Sequence, residues 1–202
     1  MTGIHPIEAA SYRILAERVD LSAWPDGPRA VVARVVHATA DVEFATTMVV
    51  DEAAVAAGVA ALRAGAPVVT DVEMTRAALS GIAAACYLRE VPLAGDASLT
   101  RTASAIRLAA DRHPEGAVFV IGCAPTALVE LIRLAGSGRL SPALVVGLPV
   151  GFVGAASSKE ALRRSGLPAV SNRGEKGGSA AAGAAVNALS RLAQADWAPA
   201  AG

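Results

Sequence analysis

Aromatic residues are scarce in this chain: three Phe, two Tyr and two Trp among 202 residues. Few rings are therefore available to stack on a planar ligand. Cysteine is equally rare. Cys86 and Cys123 stand alone without metal-type spacing, which predicts no metal site and points to a reducing compartment. Net charge is missing too: 18 basic residues balance 18 acidic ones, so no overall field recruits nucleic acid or an anionic membrane. An anionic ligand must be held by local groups. The longest apolar run is broken by Pro149 and several glycines and is too short to span a bilayer. The opening MTGIHPIEAASYR carries no apolar signal core. These absences lead us to expect a soluble, cytoplasmic protein with neither a nucleic-acid nor a membrane partner.

Small apolar residues are abundant. The chain is 53% hydrophobic, and a core of Ala, Val and Leu suits close packing of helices on a sheet. Its length is ample for one domain and short for two.

The stretch ALVVGLPVGFVGAASSKE, residues 143–160, organises the rest. Residues 143–146 read as a buried strand, and Gly147, Pro149, Gly151 and Gly154 forbid regular structure after it. Ser157 with Glu160 three residues later predicts a capping box and a helix start. Strand, glycine loop and helix N-terminus together favour an anion, although the glycines equally serve a tight connection. The spacing matches neither G-x-G-x-x-G nor G-x-x-x-x-G-K-[ST], so a nucleotide is not implied.

In chain order, residues 6–19 read as a helix and a second helix opens near Pro28, with Val31, Val32, Val35 and Val36 inward. Asp51 caps a third helix over 52–63. From Pro67 strands alternate with helices: strands at 68–71, 82–88, 117–121, 143–146 and 168–171. That alternation predicts an α/β fold, a flavodoxin-like, three-layer, doubly wound sheet of five parallel strands with an N-terminal helical extension. The expected divisions are a helical extension over 1–65, the sheet over 66–195 and a tail over 196–202 that includes Trp197. Ligands of such sheets sit beyond the carboxyl ends of the strands. Asp71, the turn at 122–126, the loop at 147–154 and the loop at 172–179 should therefore share one edge.

His37 is the best acid–base candidate of three histidines; His5 lies near a terminus and His113 at a helix end. Arg34 stands one turn before His37 and Asp41 one turn after, so Asp41 is expected to orient the imidazole. An ordinary surface ion pair fits the same spacing. Thr100, Arg101, Thr102 and Ser104 suit a carboxylate or a solvated basic turn. Arg173, Lys176 and Ser179 around Gly177 and Gly178 suit a second carboxylate cradle or a polar loop before a helix.

Seven blocks in order resemble the precorrin-8X methylmutase (precorrin isomerase) family, including its cobalt-precorrin-8 branch. They are IEAASYRIL (7–15), RVVHATAD (34–41), GAPVVTDVEM (65–74), TRTAS (100–104), IGCAPTAL (121–128), GLPVGFVGAASSKEAL (147–162) and GGSAAAGAAVNAL (177–189). The resemblance implies a cofactor-free isomerase of corrinoid biosynthesis, moving a methyl group between adjacent carbons of ring C by a 1,5-sigmatropic shift. It places the acid–base role on His37, a substrate contact on Ser11 and a carboxylate contact on Arg101. With Arg34, Thr100, Thr126, Gly151, Gly178 and Ser179, these make the expected corrinoid-binding set. It also implies a homodimer, which the apolar faces of the helices before Pro67 favour as well. Cys123 stands where asparagine is expected, and the block after Asp71 lacks the usual glycine. The opening and the GCAPTAL turn lean towards the cobalt branch. The alternative from another class is a non-catalytic tetrapyrrole carrier on the same scaffold, which retention of His37 disfavours.

Overall fold

The computed structural model describes residues 5–92 and 98–195. The expected tail after Trp197 lies outside them. Helices α1 (Pro6–Arg18), α2 (Asp26–Thr39) and α3 (Phe44–Thr47) precede strand β1 (Met48–Val49) and helix α4 (Glu52–Arg63). Then follow β2 (Val68–Thr70), α5 (Glu73–Ala77), β3 (Ala85–Cys86), α6 (Arg101–Arg112), β4 (Val118–Ile121) and α7 (Pro125–Gly136). The chain continues through β5 (Leu144–Gly147), α8 (Ala155–Arg164), β6 (Ala169–Asn172) and α9 (Ser179–Gln194).

The sheet has six strands in the order β1-β6-β5-β4-β2-β3, which corrects the expectation of five parallel strands. Strand β1 is antiparallel to β6, pairing Met48 with Asn172 and Val49 with Ser171. Two residues carry no readable period, so nothing in the sequence around Met48 announces a strand. The five parallel strands run in the order second, first, third, fourth, fifth, β3-β2-β4-β5-β6. The second of them is also shorter than the 82–88 run suggests. It gives way to a 3-10 turn at Leu88–Glu90.

Alternation along the strands divides the core in two. Val68, Val118, Val120, Leu144, Val146 and Val170 face one layer, packed with the valines of α2 and the alanines of α9. Val69, Phe119, Ile121 and Val145 face the other, against Ile106 of α6 and Leu128 and Leu131 of α7. The segment expected as an extension is therefore part of the main core: α2 and α4 share a layer with α9, and β1 edges the sheet. Small residues on α9 also let the turn after α5 approach it closely. A side chain at Gly183 would collide with Ala78 of the turn after α5.

Asp71, Gly122 and Gly147 share one edge, as expected. Thr70 is level with Val120, Ile121 is level with Gly147, and the Gly122 amide donates to Asp71 Oδ1. The capping box is a correction. Helix α8 starts at Ala155 with Gly154 as its N-cap, at φ 82°. Ser157 Oγ instead donates to the Gly154 carbonyl from inside the first turn, and Glu160 pairs with Arg163 and Arg164.

Candidate active site

His37 sits in the last turn of α2 and is clasped by α1. Ser11 Oγ lies 2.8 Å from its Nδ1, and the Tyr12 ring stacks on the imidazole with centroids 4.9 Å apart and planes 13° from parallel. Adjacent residues of α1 thus fix the ring by one hydrogen bond and one face contact. With Nδ1 engaged, Nε2 is the nitrogen left for a substrate. A hollow of about 90 Å³ opens beside it, lined in part by Ser11, Ile14, Arg18 and Val42.

Asp41 does not orient the imidazole. Helix α2 stops at Thr39 and Ala40 adopts the left-handed conformation at φ 52°, so the i+4 position no longer lies on the same face. The Asp41 carboxylate instead accepts from Lys176 Nζ at 2.7 Å and from the Glu43 amide at 3.0 Å. The Lys176 ammonium, first among the causes, holds the Asp41 carboxyl below its usual range. The orienting group is Ser11, which was expected only as a substrate contact.

Arg34, one turn before His37, is engaged inside the fold. Its guanidinium meets Glu8 Oε1 at 2.7 Å, and Arg191 of α9 meets the same oxygen at 2.7 Å. Arg191 chiefly, with Arg34, holds the Glu8 carboxyl low. This network staples α1 to α2 and α9, and so holds Ser11 and Tyr12 in place. Glu8 and Arg191 of this network, and Tyr12 against His37, escaped the sequence reading, because they meet their partners only through tertiary packing.

The strand ends are organised by Asp71, which is wholly buried. Its Oδ1 accepts from Thr75 Oγ1 at 2.8 Å and from the Gly122 amide at 3.2 Å. Its Oδ2 accepts from the amides of Cys123 and Ala124, both at 2.8 Å. The carboxylate saturates the amides that open the turn after β4, so they do not face a ligand. Ser179 is likewise used up. It is buried, and its hydroxyl lies 2.9 Å from that of Thr75.

The two glycine loops are zipped together at this edge. The Gly151 amide donates to the Glu175 carbonyl at 3.1 Å, and the Gly178 amide to the Leu148 carbonyl at 2.8 Å. The amides of Gly151 and Gly178 are thus spent on joining the two loops. Beneath the loops lies Lys159, wholly buried, its ammonium donating to Asn172 Oδ1 at 2.9 Å and to the Lys176 carbonyl. Burial, with Arg163 as the next cause, pushes its pKa from 10.5 down to about 8. Lys159 shares the inward face of α8 with Ala155, Ser158 and Leu162, a three-to-four-residue spacing that the sequence displays. At the tip of the first loop Phe152 and Val153 project outward, 93% and 89% exposed.

The expected Thr100–Arg101–Thr126 group does come together. The hydroxyls of Thr100 and Thr126 lie 2.8 Å apart, and Thr102 lies 3.1 Å from Thr100. All three are at or near the surface, and Thr100 also caps α6. Arg101 donates to the carbonyls of Leu88 at 3.0 Å and Val91 at 3.4 Å, anchoring the chain before residues 93–97. The remaining histidines are structural: His5 caps α1, and His113 Nε2 lies 2.6 Å from the Tyr87 hydroxyl.

The family model "Precorrin-8X methylmutase" matches residues 6–192. The cobalt-precorrin-8 methylmutase of Priestia megaterium is 39% identical over 93% of this chain and 87% of its own length. The precorrin-8X methylmutase of Pseudomonas aeruginosa is 42% identical over 89% of this chain and 91% of its own. A crystal structure of the precorrin-8X methylmutase of Thermus thermophilus superposes with a TM-score of 0.87 at 34% identity, covering 96% of this chain and 98% of that one.

Proposed function

The chain belongs to the precorrin-8X methylmutase family, and from that premise we propose how its own residues carry the reaction. It is a methylmutase of precorrin-8X or cobalt-precorrin-8, acting in cobalamin biosynthesis. The scaffold is read as flavodoxin-like and doubly wound, extended by one antiparallel edge strand, and the protein as a cytoplasmic homodimer. The shift breaks one carbon–methyl bond and forms another on a neighbouring ring carbon. No electrons leave the substrate and no group is released, so the reaction balances without an oxidant, a reductant or an acceptor. What it needs is electron density drawn from the conjugated system at the migrating centre.

His37 is the group proposed to supply that pull, with Nε2 directing a proton at the macrocycle while Ser11 and Tyr12 hold the ring. The observation that carries this reading is the 2.8 Å Ser11–His37 hydrogen bond beside an open hollow. The exposed Thr100, Thr102 and Thr126 hydroxyls suit one acid arm of the corrinoid. Arg101 supports that group by anchoring the neighbouring loop, and is free to take a carboxylate only where it gives up a carbonyl.

Single-turnover conversion of precorrin-8X and of its cobalt form, followed by absorbance, tests the assignment. His37→Ala should fold and bind corrinoid yet lose at least ~100-fold in rate, the lower range of acid–base catalysis. Conversion at the unmodified rate would remove His37 from the mechanism.

A further inference from the structure

Lys176 lies in the glycine loop before α9, 135 positions beyond the turn that ends the histidine helix. Its ammonium nevertheless reaches that turn, meeting Asp41 Oδ2 and Glu43 Oε2 at 2.7 Å each. Both carboxylates, Asp41 first, push the Lys176 pKa up. Its backbone carbonyl is held from the other side, by Lys159 Nζ and by Asn172 Nδ2 at 2.9 Å. Asn172 and Lys159 are both fully buried. A second tie runs close by, from the Arg173 amide to the Thr47 carbonyl at 2.8 Å.

The main chain of Lys176 is thus fastened to the buried floor of the site, while its side chain grips the segment that fixes where α2 ends. His37 lies three residues before Ala40, whose left-handed conformation breaks the helix. We propose that Lys176 is a positioning residue for the methyl shift. Its double ion pair sets the distance between the imidazole of His37 and the paired glycine loops at the edge of the sheet. This inference rests on the acid role of His37 given above.

An ordinary surface ion pair contributes little to stability and is screened by salt. A latch of this kind should matter to geometry instead, and catalytic rates respond steeply to displacements of about 1 Å, which can cost on the order of 100-fold. The expected signature is a loss of rate without a loss of affinity. Lys176→Met should lower the single-turnover rate by at least ~10-fold on that scale. Affinity for hydrogenobyrinic acid, the metal-free product, should stay within about twofold, as for a residue outside the contact surface. Lys176→Arg, which keeps the charge and both contacts, should restore most of the rate. Asp41→Asn with Glu43→Gln releases the latch from its other end and should reproduce the deficit; adding Lys176→Met should then cost nothing more.

Unchanged rate in Lys176→Met would overturn the proposal, and so would a rate loss that adds fully to that of the carboxylate variants. Weaker product binding with an unaltered rate would also overturn it, making Lys176 a substrate contact. Should Lys176→Met fail to fold, the paired carboxylate variant decides the matter on the same criteria. His37→Ala, assayed alongside, separates the two levels. If that variant converts substrate at full rate, the acid assignment fails; if it is inactive while the latch variants are unimpaired, only the latch fails.

Discussion

At the scale of single residues, two buried charges do opposite things at the same edge of the sheet. Asp71 is surrounded by N–H and O–H donors, so its buried oxygens are all hydrogen-bonded. Lys159 donates to neutral acceptors, Asn172 Oδ1 and the Lys176 carbonyl, while Arg163 repels it and Glu175 offsets that repulsion from a distance. Its proton is therefore held less tightly in the fold than in the unfolded chain. The sign of the pH effect follows. Between about 8 and 10.5 the unfolded state binds the proton while the folded state has released it, so this group makes stability rise with pH across that window. Below about 8 both states carry the charge and the fold bears a constant penalty. Urea unfolding of the protein and of Lys159→Met at several pH values checks this. The stability difference, protein minus variant, should grow as pH rises from 8 to 10.5. A flat difference would mean that the ammonium is as well solvated in the fold as outside it.

At the scale of elements, the two glycine loops and the helices they introduce form one joint. Gly177 is where they press closest. A Cβ there would strike the carbonyl oxygens of Leu148 and Pro149, which are backbone and cannot swing aside. Gly177→Ala should therefore part the loops and loosen the Gly178–Leu148 hydrogen bond, destabilising by roughly 1–3 kcal/mol, the usual range for overpacking. Turnover should fall more than binding, because Lys176 and its hold on the turn after α2 shift with the loop. Thermal unfolding and single-turnover assays together check both parts; a variant of normal stability and rate would show that the contact relaxes freely. Much of this element-level picture was legible in the sequence. The helix over 52–63 and its Asp51 cap are found where the residues put them, as are the strand ends that gather Asp71, Gly122 and Gly147. Local pattern encodes those features. The strand at Met48–Val49 was not legible, since its two residues owe their conformation to pairing with β6. The role of Asp41 was misread for a related reason. Its i+4 spacing from His37 holds only while the helix continues, and Ala40 carries no sequence mark of a helix end such as glycine or asparagine. Ser11 and His37 were both named from the sequence, but their contact depends on how α1 crosses α2, which no local pattern reveals.

At the scale of the whole molecule, the hollow beside His37 stands open at the surface of one copy. The hollow beside His37 measures about 90 Å³, room for an edge of a macrocycle and not for its face. Its outer wall is α1, a helix of 13 residues of which Leu15 alone is buried. Ile7 and Ile14 point away from the core, 75% and 49% exposed. A helix this poorly covered is marginal by itself, since most helical stability in proteins comes from packing of an apolar face. Phe152 and Val153 add a second unburied apolar tip on the loop after β5. A second copy laid over α1 would cover Ile7 and Ile14 and close the hollow at once, burying the roughly 800 Å² per partner of a stable interface. We therefore expect light scattering at micromolar concentration to give twice the chain mass of 20.2 kDa. Ile7→Glu, which sets a charge against its own symmetry mate or an apolar partner, should shift the protein towards the single-chain mass. The Glu8–Arg34–Arg191 network within the chain remains intact in that variant, so circular dichroism should still report the fold. Turnover should fall with the loss of the dimer and recover at higher protein concentration, because mass action restores the missing wall. A protein that scatters as a single chain and turns over at an unchanged rate per chain across that range would show that one copy, with its own loops, encloses the corrinoid unaided.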